Sequence, residues 1–291
     1  MQYMSMEDEG NTPMRIDAHQ HYWSLERGDY GWLSPDVPVL YRNYLPADLE
    51  AHLLAHGIQK TVVVQAEASV AETDYMLSLC ERTDTIAGVV GWLDLESAGC
   101  REDYARLRHN RFFKGIRIML QDIDMEYAFR PAVLEALRFL EKEQFPVDIL
   151  IKSHQVEDTY KLLERVPNLR AVIDHIAKPA ISRSEQEPWT THMARIAKDF
   201  PGVYCKLSGM VTEADHEQWR EEQFLPYVHH IVEHFGPKRV MYGSDWPVCL
   251  LAAEYSEVYT LLQHTLPQGL SEAELEDVFG NNAAEFYRLE V

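Results

Sequence analysis

The stretch Arg15-Ile16-Asp17-Ala18-His19-Gln20-His21 closes a short apolar run with two imidazoles. Residues two apart on a strand share a face, so His19 and His21 converge on one point. Far down the chain Val240-Met241-Tyr242-Gly243 forms another such run, followed by Ser244-Asp245-Trp246-Pro247. A closed barrel of parallel strands brings a late carboxylate to the mouth of the first strand. An open doubly wound sheet calls instead for a glycine-rich phosphate loop after that strand. Here the turn carries His-Gln-His.

Working outward, strand patterns fall at Arg15–His19, Lys60–Gln65, Ile86–Leu93, Phe113–Ile118, Pro146–Ile151, Leu169–Asp174, Val203–Leu207 and Arg239–Gly243. Several, such as Thr61-Val62-Val63-Val64, are apolar on both faces, as strands buried on both sides must be. Between them the spacing predicts helices over Pro46–His56, Ala71–Thr83, Pro131–Glu143, Gln155–Val166 and Gln186–Phe200, with one or two terminal helices over Ser271–Leu289. This alternation predicts a single-domain α/β (β/α)8 TIM barrel over residues 14–291, a fold of about 250 residues in its usual form. The polar, acidic residues 1–13 read as a flexible N-terminal tail without the basic and apolar regions of a signal peptide. After the first strand a long segment, Tyr22–Tyr44, carries Trp23, Tyr30, Trp32, Tyr41 and Tyr44. In a barrel such an aromatic loop is placed to wall or cover the active site.

Composition narrows the partners. A net charge of −20, from 47 acidic against 27 basic residues, leaves no basic face for a phosphate backbone, so no nucleic-acid partner is expected. No apolar run reaches membrane length, and no membrane partner is expected either. Four widely spaced cysteines, without a Cys-x-x-Cys pair, point to a reducing, cytoplasmic setting. The helical exterior is compatible with a homodimer.

Chemistry concentrates at the strand ends. Imidazoles at His19 and His21 suit metal binding or polarisation of a carbonyl, and Asp245 suits a base that takes a proton from water, a metal ligand, or both. Val172-Ile173-Asp174-His175 ends the sixth strand; alternation lets only one of Asp174 and His175 face inward, and His175 is the one assigned to the site. His154, after the fifth strand, either completes the set or starts the next helix. Arg117 and Lys206 are charges embedded in apolar strands, and a buried unpaired charge is prohibitive, so each is expected to bind substrate oxygens or a carboxylate. Trp92, Trp246 and Trp32 are candidates for the wall of the substrate site, and Lys178 for an anion contact or a loop-structural role. Gln65 and Glu67 are weaker candidates of the same kind. The acidic run Glu213–Glu222 reads as a solvated helix face. There is no Gly-x-Ser-x-Gly elbow for a serine nucleophile.

Taken in order, six segments resemble the amidohydrolase superfamily. They are Ile16-Asp17-Ala18-His19-Gln20-His21-Tyr22-Trp23, Gly91-Trp92-Leu93-Asp94-Leu95, Lys114-Gly115-Ile116-Arg117, Val172-Ile173-Asp174-His175-Ile176-Ala177-Lys178-Pro179, Lys206-Leu207-Ser208-Gly209 and Tyr242-Gly243-Ser244-Asp245-Trp246-Pro247. The resemblance is to its amidohydrolase 2 branch of sugar lactonases, of the L-fuconolactonase and L-rhamnonolactonase type. It implies hydrolysis of a sugar-acid lactone to the free acid, with His19, His21 and Asp245 carried over directly, His175 as the sixth-strand histidine and His154 as a weaker match to the fifth. No lysine is placed to be carboxylated between two metals, so the expectation is either no cofactor or one divalent metal, zinc first, on His19, His21, His175 and Asp245. Two other readings stand beside it. One is a metal-dependent decarboxylase or amide hydrolase on the same barrel; the other is a non-catalytic sugar-binding protein.

Overall fold

The computed structural model describes residues 13–291, so all but the last residue of the expected N-terminal tail lies outside the described residues. Eight parallel strands pair in chain order: β1 (Ile16–Gln20), β2 (Lys60–Val64), β3 (Ile86–Gly91), β4 (Phe113–Met119), β5 (Val147–Leu150), β6 (Ala171–Ile173), β7 (Tyr204–Leu207) and β8 (Val240–Tyr242). The helices that follow them in turn are α1 (Pro46–His56), α2 (Val70–Cys80), α3 (Cys100–Leu107), α4 (Pro131–Glu143), α5 (Val156–Arg165), α6 (Trp189–Asp199), α7 (Leu225–Phe235) and α8 (Tyr255–Thr265). The predicted (β/α)8 barrel is what forms.

The core has two shells, which is why the strands are apolar on both faces. Outside the sheet, residues such as Val63, Val89, Ile149 and Cys205 pack with Leu49, Leu137, Leu162 and Ile231 of the helices. Inside it, Ile16, Ala18, Val62, Val64, Val90, Val172 and Met241 meet Phe286 and Tyr287 from the terminal helix α10 (Asn282–Tyr287). Each Val, Leu, Ile, Met or Phe among them contributes roughly 1.5–3 kcal/mol by leaving water.

Two expectations change. The terminal segment is helical, but a π-helical stretch at Asp277–Asn281 joins α9 (Glu272–Glu276) to α10. The acidic run 213–222 is not a helix face: only short 3-10 turns form, at Val211–Glu213 and Glu221–Gln223. Between them the Asp215 carboxylate accepts from Glu217 N (3.0 Å) and Gln218 N (2.9 Å), a local bond that competes with helix formation.

The first and last strands meet just beyond β8, where Asp245 N donates to His19 O (2.8 Å) and His21 N donates to Trp246 O (2.7 Å). Buried Asp17 staples this seam, accepting from Ser244 N (2.9 Å), His19 N (3.2 Å) and the Tyr255 hydroxyl (3.1 Å). Asp17 and His19 would share a face on a regular strand. Here the register of β1 on β2 shifts between Asp17 and Gln20, so Asp17 meets Tyr255 on α8 while His19 meets Lys206 inside the barrel.

Candidate active site

Three imidazoles and one carboxylate converge at the carboxyl ends of β1, β6 and β8. Nε2 of His21, His19 and His175 lies 3.2, 3.7 and 3.8 Å from the same Asp245 oxygen, Oδ1. Each ring is held from behind through Nδ1: His21 by Val64 O (2.7 Å), His175 by Ser208 Oγ (2.9 Å) and His19 by Lys206 Nζ (3.1 Å). Burial works to raise the pKa of Asp245, but the imidazoles of His175, His21 and His19 outweigh it. Asp245 therefore titrates below the usual carboxylate range and is ionised at neutral pH. Burial lowers His175 to about 4, so its ring is neutral there.

The local backbone makes this convergence. Asp245 has φ 56°, a left-handed conformation that turns its carboxylate back over the strand end. After β6 the chain makes a left-handed turn, with φ of 53°, 47°, 60° and 47° at His175, Ile176, Ala177 and Lys178. None of these is glycine, so each residue is strained by about 1–2 kcal/mol. The turn is held by Lys178 N donating to His175 O (2.8 Å) and the buried Trp189 indole donating to Ile176 O (2.7 Å). Alternation had allowed only one of Asp174 and His175 to face inward. Because the strand stops at Ile173 and the turn reverses hand, both do. Asp174 lies 3.4 Å from His19 Nδ1 and 3.7 Å from Arg117.

A cavity of about 360 Å³ opens on this cluster, lined in part by His21, His175, Asp245, Arg117, Trp32 and Lys178. A larger groove of about 660 Å³ beside α1 contains no histidine and none of these residues. Trp32, from the long loop, is 45% exposed and donates its indole N–H to Ala66 O (2.8 Å), which brings the loop to the cavity rim. Arg117 donates to Gln65 O and keeps its Nε unpaired.

Other expected residues lie elsewhere. Lys206 does not reach the cavity: it is wholly buried beneath the cluster, with Nζ at 2.5 Å from Asp148 and 3.1 Å from Asp174. His154 is exposed on a 3-10 turn, Ser153–Gln155, that leads into α5, so it starts the helix and completes no site. Trp246 is buried against Tyr44 and Tyr22, and Trp92 is half-buried; neither lines the cavity. Two carboxylates escaped the sequence reading. Asp148, raised to about 6 by burial, receives Lys206 and the Tyr287 hydroxyl (2.7 Å). It is a charge inside an apolar strand, the same signal that singled out Arg117 and Lys206. Glu72, raised to about 7 by burial, holds the rim loop by accepting from Ala66 N (3.0 Å) and Glu67 N (2.9 Å); its helical setting gives no such signal.

The donors suit a divalent metal. Ligand atoms of His19, His21 and Asp245 all lie within 4.8 Å of one another, and His19 Nε2 is buried without a hydrogen-bond partner. His175 falls in a different group, with His19 and Asp174, so the four residues expected to share one metal divide into two overlapping sets.

A (β/α)8 barrel with imidazoles and a carboxylate gathered at its carboxyl face has the architecture of a barrel hydrolase. The amidohydrolase family model matches residues 16–289, and the chain belongs to that family. It is 37% identical over 281 residues to L-fucono-1,5-lactonase of Burkholderia ambifaria, covering 95% of this chain and 96% of that one. It is 36% identical over 293 residues to L-fucono-1,5-lactonase of Burkholderia multivorans, covering 95% of this chain and 96% of that one. The crystal structure of an amidohydrolase from Burkholderia multivorans with bound zinc superposes with a TM-score of 0.90 at 35% identity, covering 95% of this chain and 99% of that one.

Proposed function

We propose that this protein hydrolyses a sugar-acid 1,5-lactone, of the L-fuconolactone type, to the free acid. The observation that carries the reading is the meeting of three imidazole nitrogens on Asp245 Oδ1 at the base of a cavity of about 360 Å³, room enough for a sugar ring. The two lactonases similar over nearly the whole chain support it. Asp245, ionised and held in place, takes a proton from water as the water attacks the lactone carbonyl. The same carboxyl then returns that proton to the ring oxygen as the ester bond breaks and the free acid leaves.

His175 and His21 border the cavity and orient the carbonyl. Arg117 and Lys178, both at the rim, receive the developing carboxylate and the hydroxyls, and Trp32 covers one face of the ring. If a divalent metal is held, the ligands are His19, His21 and Asp245; zinc there would polarise the carbonyl and ease deprotonation of water.

The test is proton release from fucono-, rhamnono-, galactono- and xylono-lactones. L-Fucono-1,5-lactone is expected to be turned over with the highest kcat/KM, and absence of release from every lactone would overturn the reading. In the same assay Gly209→Ala is expected to lower kcat by about 100-fold. Gly209 has φ +58°, and a Cβ there would overlap the His175 ring, displacing a group the reaction needs in register. An unchanged kcat in that variant would remove His175 from the scheme.

A further inference from the structure

The three imidazoles are not equivalent, and the difference lies in what stands behind each. Val64 O is an acceptor only, so Nδ1 of His21 carries a proton, while its Nε2 faces Asp245 Oδ1 at 3.2 Å. Ser208 Oγ both donates and accepts, and leaves His175 free to adopt either tautomer. Behind His19 stands Lys206 Nζ, at 3.1 Å from Nδ1. The same Nζ faces two carboxylates, Asp148 at 2.5 Å and Asp174 at 3.1 Å, and a lysine ammonium can only donate. The lone pair of His19 is therefore at Nδ1, and its one proton is at Nε2, facing Asp245 Oδ1 at 3.7 Å.

The geometry points to Lys206 as a positioning residue that sets the His19 tautomer and thereby weakens metal binding at the His19–His21–Asp245 site. A metal there needs the Nε2 lone pair of His19. To supply it, the His19 proton has to move from Nε2 to Nδ1, with no net gain or loss, and Lys206 has to withdraw its N–H. The acceptor for the relocated proton is at hand: Asp174 Oδ1 lies 3.4 Å from Nδ1, with the Lys206 ammonium at 3.1 Å as its other polar neighbour. Two arrangements thus share one set of atoms. With Lys206 on Nδ1 the site holds a hydrogen-bond donor; with Asp174 on Nδ1 it holds a ligand. This conclusion goes beyond the lactonase reading and does not depend on it.

Both arms of the test are independent of turnover. The chain is labelled with ¹⁵N in the histidine rings and dialysed against chelator, with His19→Gln used to assign the His19 signals. Long-range ¹H–¹⁵N correlations are expected to show His19 protonated at Nε2 and His21 at Nδ1; a His19 ring protonated at Nδ1, or at both nitrogens, would overturn the proposal. In the second arm, zinc affinity is measured by competition with a chromogenic chelator. Asp148→Asn/Lys206→Met removes one charge of each sign and leaves Asp174 free to take the Nδ1 proton. It is expected to bind zinc about 10- to 100-fold more tightly than wild type, the range over which partners behind a ligand tune affinity. Adding Asp174→Asn is expected to abolish the gain. Equal or weaker zinc binding by the folded double variant refutes the inference, and the wild-type spectrum decides the matter alone if that variant does not fold.

Discussion

Asp245→Asn is expected to lower kcat about 1000-fold on the lactone while leaving KM nearly unchanged. The carboxylate is the only group in the cluster with both the position and the ionisation to take a proton from water; its Oδ1 is the atom on which His19, His21 and His175 converge. A positioned general base contributes roughly 10²- to 10⁴-fold, and Asn keeps the shape while losing the basicity. The fold is expected to survive and the melting temperature to fall modestly, because a carboxylate held below its ordinary pKa by the imidazoles stabilises the folded state at neutral pH and Asn loses that contribution. Steady-state kinetics with a thermal melt on the same preparation checks both parts. Turnover within tenfold of wild type would remove Asp245 as the base.

Lys206→Met is expected to be the most destabilising substitution of the set, at about 3–5 kcal/mol. Lys206, Asp148 and Asp174 are all 0% exposed, so neither carboxylate can recover hydration when the ammonium is lost. The methylene stem is matched by Met, and the loss is one of charge, not of packing. In a chain of this size it corresponds to a fall in melting temperature of about 10 °C. Asp148→Asn/Lys206→Met is expected to regain most of this, since Asp174 then faces Arg117 at 3.7 Å and His19 as its remaining partners. Urea titration of both variants checks the prediction. A single variant within 1 kcal/mol of wild type would show that the network beneath the site carries little of the stability.

The two variants separate two layers of one construction. On the proposed reading Asp245 serves the chemistry, and its loss is expected to cost rate. Lys206 is spent on holding two carboxylates and one imidazole in place, and its loss costs the fold. Their different readouts keep the lactonase reading and the tautomer assignment independently testable.

Residue type and spacing alone give the alternation of strands and helices, the barrel, and the placing of His19, His21, His175 and Asp245 at or just beyond strand ends. These follow from short-range signals. Buried strands must be apolar on both faces, helices repeat at 3.6 residues, and a polar group ending an apolar run stands at a strand end. Helices α1 and α4 match their predicted limits, Pro46–His56 and Pro131–Glu143, because Pro at the first turn and the change in pattern are local.

Tertiary structure decided height, hand and pairing. Period-two alternation says which face a strand residue occupies but not its depth in the barrel, which depends on the register between strands. Lys206, paired in register with Met241, sits below the mouth, whereas Arg117, paired with Asp148, has the reach to extend to Gln65 at the rim. The register shift in β1 that parts Asp17 from His19, and the left-handed turn that brings both Asp174 and His175 inward, have no signature in residue type. Ile176 and Ala177 are poor choices for positive φ, and only the surrounding hydrogen bonds and packing hold them there. The same is true of His19: its place could be read from two residues of spacing, but the nitrogen that carries its proton is decided by a lysine 187 positions away.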